Sequence, residues 1–304
     1  MSRLRVQGQF LRRNDFPRDP CRDADRERWA HGGMMMRRVR VIGIGAGNPE
    51  HLTMEAVNAL NSCDALFLPR KGGEKDFLVR LREQICGRYI TRKDPKLVHF
   101  DMPVRRKDSN YPAAVDDWHL AIAGIYEQLL AEEMGPEGTA GVLVWGDPML
   151  YDSTIRIMEH LRDRGRIAFD YDVIPGISSL QVLCARHRIP LNRIGQPVEI
   201  TTGRRLAQGW TTGSADVAVM LDGVQAYEGA GEPDAQIFWG AYLGTEMEIL
   251  VSGRLGDVAA EISRLRQAAR AKHGWIMDTY LIRRPASGLT AQDETVPLNR
   301  EDAA

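Results

Sequence analysis

The stretch VRVIGIGAGNPEHLT, Val39 to Thr53, constrains the fold more than any other part of the chain. The β-formers Val39, Val41, Ile42 and Ile44 lead into the glycines Gly43, Gly45 and Gly47, and LTMEAVNAL follows with Thr53 placed as a helix cap. A strand that enters a helix through so tight a turn belongs to an α/β unit. Bare glycine backbone lets a ligand come close, and a helix N-terminus at that position suits a nucleotide phosphate.

From Arg37 onward strand-like and helix-like segments alternate. Strands are expected near 39–44, 64–68, 97–100, 141–145 and 169–174, with helices near 53–62, 76–87, 112–133 and 153–164. This order predicts a parallel, helix-covered sheet. The segment IPGISS, Ile174 to Ser179, then breaks the chain. Beyond it come a helix near 178–187, strands near 197–202, 216–221, 236–241 and 247–252, a helix near 256–271 and a last strand near 275–283. The strands near 236 and 247 are joined by a short loop, so the second sheet should be mixed. The expected organisation is an N-terminal α/β domain over 37–173, a C-terminal α/β domain over 174–284 and a loose polar tail over 285–304. Residues 1–36 hold no helix or strand period. They are expected to be disordered, or to precede a true start at Met34, Met35 or Met36.

The nucleotide reading fares poorly. The third glycine position of a dinucleotide fingerprint holds Asn48, and the second strand ends in Pro69 and Arg70 rather than in a ribose-binding acid. Arg70 leaves an NADP-dependent oxidoreductase open as an alternative, whereas a P-loop lacks its lysine. The 40 basic and 41 acidic residues give a formal net charge of -1, so nothing draws the chain to nucleic acid or to an anionic membrane. Cys21, Cys63, Cys86 and Cys184 lie far apart, without metal-ligand spacing, and read as reduced thiols of a cytoplasmic protein with no metal.

Two further strand ends match the first. In VLVWGDPMLYDST, Val142 to Thr154, an apolar strand ends at Gly146, Asp147 and Pro148, and Asp152 or Ser153 then caps a helix. In YDVIPGISSLQ, Tyr171 to Gln181, a strand meets a Pro-Gly turn and a capped helix. Strand ends of this kind form the ligand crevice of an open α/β sheet.

GIGAGNPEHLT, WGDPMLY and VIPGISS, in this order and followed by a second α/β half, resemble the tetrapyrrole methylases, which use S-adenosylmethionine to methylate uroporphyrinogen and the precorrins. The stretches HRIPLNRIG, ITTGRR, WGAYLGT, ILVSGRL and HGWIMDTYL resemble the members that methylate C-1 of precorrin-5 and release its C-20 acetyl unit as acetate. The resemblance runs from about Arg38 to Arg284. It implies two α/β domains with the cofactor in the cleft between them, S-adenosyl-L-homocysteine as a product, and a homodimer. It also answers the phosphate question, because this glycine turn lies beside a substrate trough and meets a sulfonium cofactor.

By the same resemblance, cofactor contacts fall on Ala46, Trp145, Gly146, Asp147, Leu150, Ser178, Ser179, Met220 and Gly244. Ala46 and Trp145 depart from the residues common in the family, Pro and Gly. Gly45 and Gly47 border the substrate, and Arg193, Arg204 and Arg205 are candidates for its acetate and propionate carboxylates. Deacetylation benefits from a base and from oxyanion donors. Asp222 and Tyr242, each after a second-domain strand, are the first choices for it, ahead of His187, Asp278, Tyr280 and Tyr151. A tetrapyrrole carrier without turnover is a third class of function.

Overall fold

The computed structural model describes residues 36–285, except 71–75, 92–94, 105–110, 210–215 and 230–231. The expectations for the N-terminal segment, the C-terminal tail and most of the basic loop RKGGEK therefore lie outside the described residues.

The first sheet contains β1 (Arg37–Gly43), β2 (Ala65–Arg70), β3 (Lys96–Asp101), β4 (Thr139–Val144) and β5 (Phe169–Ile174). All its pairings are parallel, in the order β3-β2-β4-β1-β5. β5 runs through Ile174, one residue past the expected domain boundary. Helices α1 (Met54–Ser62) and α2 (Asp76–Tyr89) pack on one face around Ile42, Leu66, Leu68 and Leu143. Helices α3 (Tyr111–Glu133) and α4 (Thr154–Arg164) cover the other around Val41, Phe67 and Val142. Coverage on both faces explains why the inner strands β2 and β4 read as apolar runs rather than as alternating ones.

Local signals set the helix ends. Thr53 Oγ1 accepts the Ala56 N–H at 3.0 Å and starts α1. Of the two expected caps for α4, Asp152 serves, its Oδ1 accepting the Thr154 N–H at 2.6 Å, while Ser153 makes no side-chain cap bond. Gly165, with φ of 64°, ends that helix in the left-handed region that glycine enters without steric cost.

The second sheet, in the order β6-β7-β10-β8-β9, contains β6 (Val198–Thr202), β7 (Asp216–Met220), β8 (Gln236–Ala241), β9 (Ile249–Arg254) and β10 (Asp278–Arg283). Only β6 and β7 are parallel, so the sheet is mixed as expected. α5 (Ser179–His187) covers one face. The short α6 (Gly203–Leu206) and α7 (Leu255–His273) cover the other, around Trp239 and Tyr280.

Candidate active site

The three turns singled out in the sequence belong to β1, β4 and β5, which lie side by side in the order β4-β1-β5. Segments about a hundred residues apart in the chain thus meet at one end of one sheet. Gly45 and Gly146 bridge the first two turns, with Gly146 N donating to Gly45 O at 2.8 Å and Gly45 N to Gly146 O at 3.3 Å. The third turn is held by Asp147. Its Oδ2 accepts the Gly176 N–H at 2.8 Å and its Oδ1 the Met149 N–H at 2.8 Å. The side chain of Asp147 thereby ties two strand ends together, and the loop backbone is what faces outward.

Close approach explains the glycines. A Cβ on Gly176 would lie 2.1 Å from Gly146 O and 2.9 Å from Gly43 Cα. A Cβ on Gly146, whose φ is 71°, would meet nothing within 4 Å. The turn is shut on its inner side and open on its outer side.

The second domain meets these turns directly. A Cβ on Gly47 would strike Leu243 O at 2.7 Å, and one on Gly244 would strike the His51 ring at 2.7 Å, so these two glycine turns are in contact. Ala46, Leu180, Ala218, Leu243 and Leu281 form one buried apolar cluster, with Leu150, Ile177 and Met220 packed against it. Ser178 begins α5 in a reciprocal cap with Gln181, an arrangement worth about 1 kcal/mol. Ser179 Oγ and Thr279 Oγ1, 3.1 Å apart, join that helix to β10. Ala46, Gly146, Asp147, Leu150, Ser178, Ser179, Met220 and Gly244 are thus gathered at one seam. Trp145 stands beside it, edge-on to Phe77 with ring centroids 6.4 Å apart, and Phe77 also contacts Trp275 of the second domain.

The expected catalytic side chains point elsewhere. Asp222 is 3% exposed, its carboxylate accepting from Val224 N, Ala226 N and Tyr280 Oη. Tyr242, 1% exposed, donates from Oη to Trp275 O at 2.5 Å. Both are turned into the core of the second domain, where they fix the turns after β7 and β8. Asp278 and Tyr280 are both buried. Asp278 accepts from Trp239 Nε1 and pairs with Arg266 Nε at 2.9 Å. Burial pushes the Asp278 carboxyl and the Tyr280 hydroxyl above their ordinary ranges, and Arg266 opposes the Asp278 shift. His187 packs, its Nε2 lying 3.1 Å from Trp239 O.

Arg193 is not brought to the cleft. Its Nη2 pairs at 2.6 Å with Asp216, a fully buried carboxylate at the opposite end of β7 that Arg283 also holds. Arg204 and Arg205 are exposed on α6, directly after β6, at the cleft end of the sheet. Tyr151 is the candidate that reaches the cleft edge. It is 42% exposed and its Oη donates to Ile200 O of the second domain at 3.1 Å.

Backbone strain marks the same region. Of the five non-glycine residues with positive φ among the described residues, Leu221 and Tyr242, directly after β7 and β8, hold 54° and 49°, and Tyr151, in the loop between β4 and α4, holds 53°. Such conformations are unfavourable for these residues and collect at functional sites. Leu221, His51 and Thr279 were not singled out by sequence. His51 lies inside the glycine-turn stretch, whereas no local signal marks Leu221 or Thr279.

Residues 38–259 match the family of Tetrapyrrole (Corrin/Porphyrin) Methylases. The chain belongs to this family. It is 59% identical over 252 residues to the Precorrin-6A synthase [deacetylating] of Sinorhizobium sp, spanning 83% of this chain and 97% of that enzyme. A Corynebacterium diphtheriae protein named as related to cobalamin synthesis (CobF) has a solved structure 38% identical to it. That likeness covers 82% of this chain and 99% of that one, with a TM-score of 0.72. The fold alone is shared with a Thermus thermophilus uroporphyrin-III C-methyl transferase solved with S-adenyl homocysteine. It is 18% identical over 81% of this chain and 92% of that one, with a TM-score of 0.50.

Proposed function

We propose that this chain is an S-adenosylmethionine-dependent methyltransferase that methylates C-1 of precorrin-5 and releases acetate to give precorrin-6A. One observation carries the reading. The 59% identity to a precorrin-6A synthase extends over 252 residues, more than either domain holds, and so takes in both walls of the cleft.

The residues at the seam fit the cofactor. The opening beside Gly146 and the apolar surfaces of Ala46, Leu150 and Met220 suit a folded, phosphate-free molecule, and the backbone at Trp145, Gly146 and Gly244 and the capped start of α5 supply polar contacts. S-Adenosylmethionine supplies an already activated methyl, so alignment with a nucleophilic ring carbon contributes most of the acceleration. The chain aligns the two by rigidity, through the Gly45–Gly146 bridge and the Asp147 tie.

Gly45 and Gly47 border the trough, and Arg204 and Arg205 meet substrate carboxylates from α6. For the deacetylation, Asp222 and Tyr242 act as positioning residues. Tyr151, whose Oη already donates to Ile200 O, acts as a further positioning residue at the edge between the two domains. A cytoplasmic homodimer completes the reading. The near-zero net charge supports the absence of nucleic-acid partners, and no helix among the described residues is long and apolar enough to cross a membrane.

The test is the mass of the product formed from S-adenosylmethionine and enzymatically generated precorrin-5, with acetate assayed in the same tube. One methyl gained with acetate released is the expected result. A methyl gained without acetate would assign a sister step at another ring carbon. No methyl, with tight NADPH binding, would return the oxidoreductase.

A further inference from the structure

From β2 the chain moves outward through α2 to β3, whereas from the neighbouring β4 it moves the other way through α4 to β5. The two helices lie on opposite faces. Adjacent strands whose connections diverge leave a crevice at their carboxyl ends, where open α/β sheets hold ligands. The register shows it. Pairing between β2 and β4 stops at Phe67 opposite Val142, although β2 stays paired with β3 to Arg70 and β4 with β1 to Val144.

Arg82, from α2, fills this opening. Its Nε donates to Leu143 O at 3.2 Å and its Nη1 to Leu78 O at 3.2 Å, and the residue is 9% exposed. Among the described residues no carboxylate pairs with it and Nη2 has no hydrogen bond. Tyr126, from α3, and Asp152, after β4, act on it only through space, and burial pushes its pKa down. A buried cation without a counter-charge is costly, and an anionic ligand removes that cost. The same β4 end carries Trp145, Gly146 and Asp147, so a ligand lying along the strand ends reaches both places.

We infer that the guanidinium of Arg82, in the crevice between β2 and β4, binds one of the carboxylates of the acidic tetrapyrrole side chains; this rests on the methyltransferase reading above. Arg82 is then a specificity-determining residue for an acidic macrocycle.

The experiment is a fluorescence titration of the full chain with uroporphyrin III, an octacarboxylate, in wild type, Arg82→Gln and Arg82→Lys, with S-adenosylhomocysteine affinity and melting temperature measured alongside. Arg82→Gln should weaken uroporphyrin binding roughly 10- to 100-fold, the effect of losing one charge-assisted hydrogen bond, and Arg82→Lys should keep part of it. KM for precorrin-5 should rise by a similar factor at unchanged kcat, with S-adenosylhomocysteine affinity intact. Unchanged uroporphyrin affinity in Arg82→Gln overturns the inference, as does a parallel fall in melting temperature and S-adenosylhomocysteine affinity. With an active wild type, either result removes this inference alone. A wild type that transfers no methyl to precorrin-5 removes the underlying reading as well.

Discussion

Adding one methyl group at Gly176 tests whether the three strand ends form a single closed unit. In Gly176→Ala the new Cβ would lie 2.1 Å from Gly146 O and 2.9 Å from Gly43 C, both backbone atoms. Carbon atoms pack comfortably at about 3.5–4.0 Å, so the third turn must move away by the order of an ångström. Forced overpacking of this sort costs about 1–3 kcal/mol. The movement also strains the Gly176 N–H···Asp147 Oδ2 bond of 2.8 Å. A bond to a charged acceptor contributes about 1.5–3 kcal/mol, so the total loss should be about 2.5–6 kcal/mol, a large fraction of the ~5–15 kcal/mol typical of a folded protein. Gly87 supplies the control. It lies inside α2 with nothing within 4 Å of an added Cβ, and Gly87→Ala should raise stability by about 0.5–1 kcal/mol. Urea unfolding of both variants, with calorimetric titration of S-adenosylhomocysteine, reads the outcome. A Gly176→Ala protein within about 0.5 kcal/mol of wild type, binding the ligand equally well, would refute the closed-turn argument; that margin is the scatter of ordinary surface substitutions.

Asp147→Ala leaves the N–H groups of Met149 and Gly176 without their acceptor. S-Adenosylhomocysteine affinity should fall roughly 10-fold or more by calorimetry, and wild-type affinity would show that the tie does not shape the site. Tyr280→Phe removes the donor 2.7 Å from Asp222 Oδ2 and should cost about 1.5–3 kcal/mol in urea, while a loss below about 0.5 kcal/mol would deny the network its part in holding the turn after β7. Burial lowers the pKa of His51 and of His119, so folding favours their neutral forms. The unfolded chain takes up these protons near pH 6.5, so this part of the stability is present above about pH 6.5 and lost as pH falls below it. Unfolding free energies measured from pH 8 to pH 5 should decline in that window, more steeply in wild type than in His119→Asn; a slope that is unchanged in the variant would assign the decline to other groups.

Much of the architecture was legible in the sequence because it is written in local terms. Apolar runs bounded by glycine placed strands such as β1 and β4, and periodic segments with Thr53, Asp152 and Ser178 at their starts placed three of the helices. The short loop after β8 pointed to the mixed second sheet. The motif positions Ala46, Gly146, Asp147, Leu150, Ser178, Met220 and Gly244 also proved to be spatial neighbours, since each sits where a strand ends and strand ends are locally encoded. Side-chain direction was not encoded in this way. Asp222 and Tyr242 follow their strands as expected, yet left-handed backbone at Leu221 and Tyr242 accompanies their turn into the core, toward Tyr280 and Trp275. Arg193 was drawn to the far end of β7 because a buried Asp216 demands a counter-charge, and that partner lies 23 residues away in the chain. Arg82 looked like any helix arginine until β2 and β4 parted above it. Propensity and hydrophobic period thus wrote the elements, their caps and the order of the turns into the chain. Which strands are neighbours and which polar groups face the cleft was settled on folding, because both depend on pairings and counter-charges between residues remote in the chain.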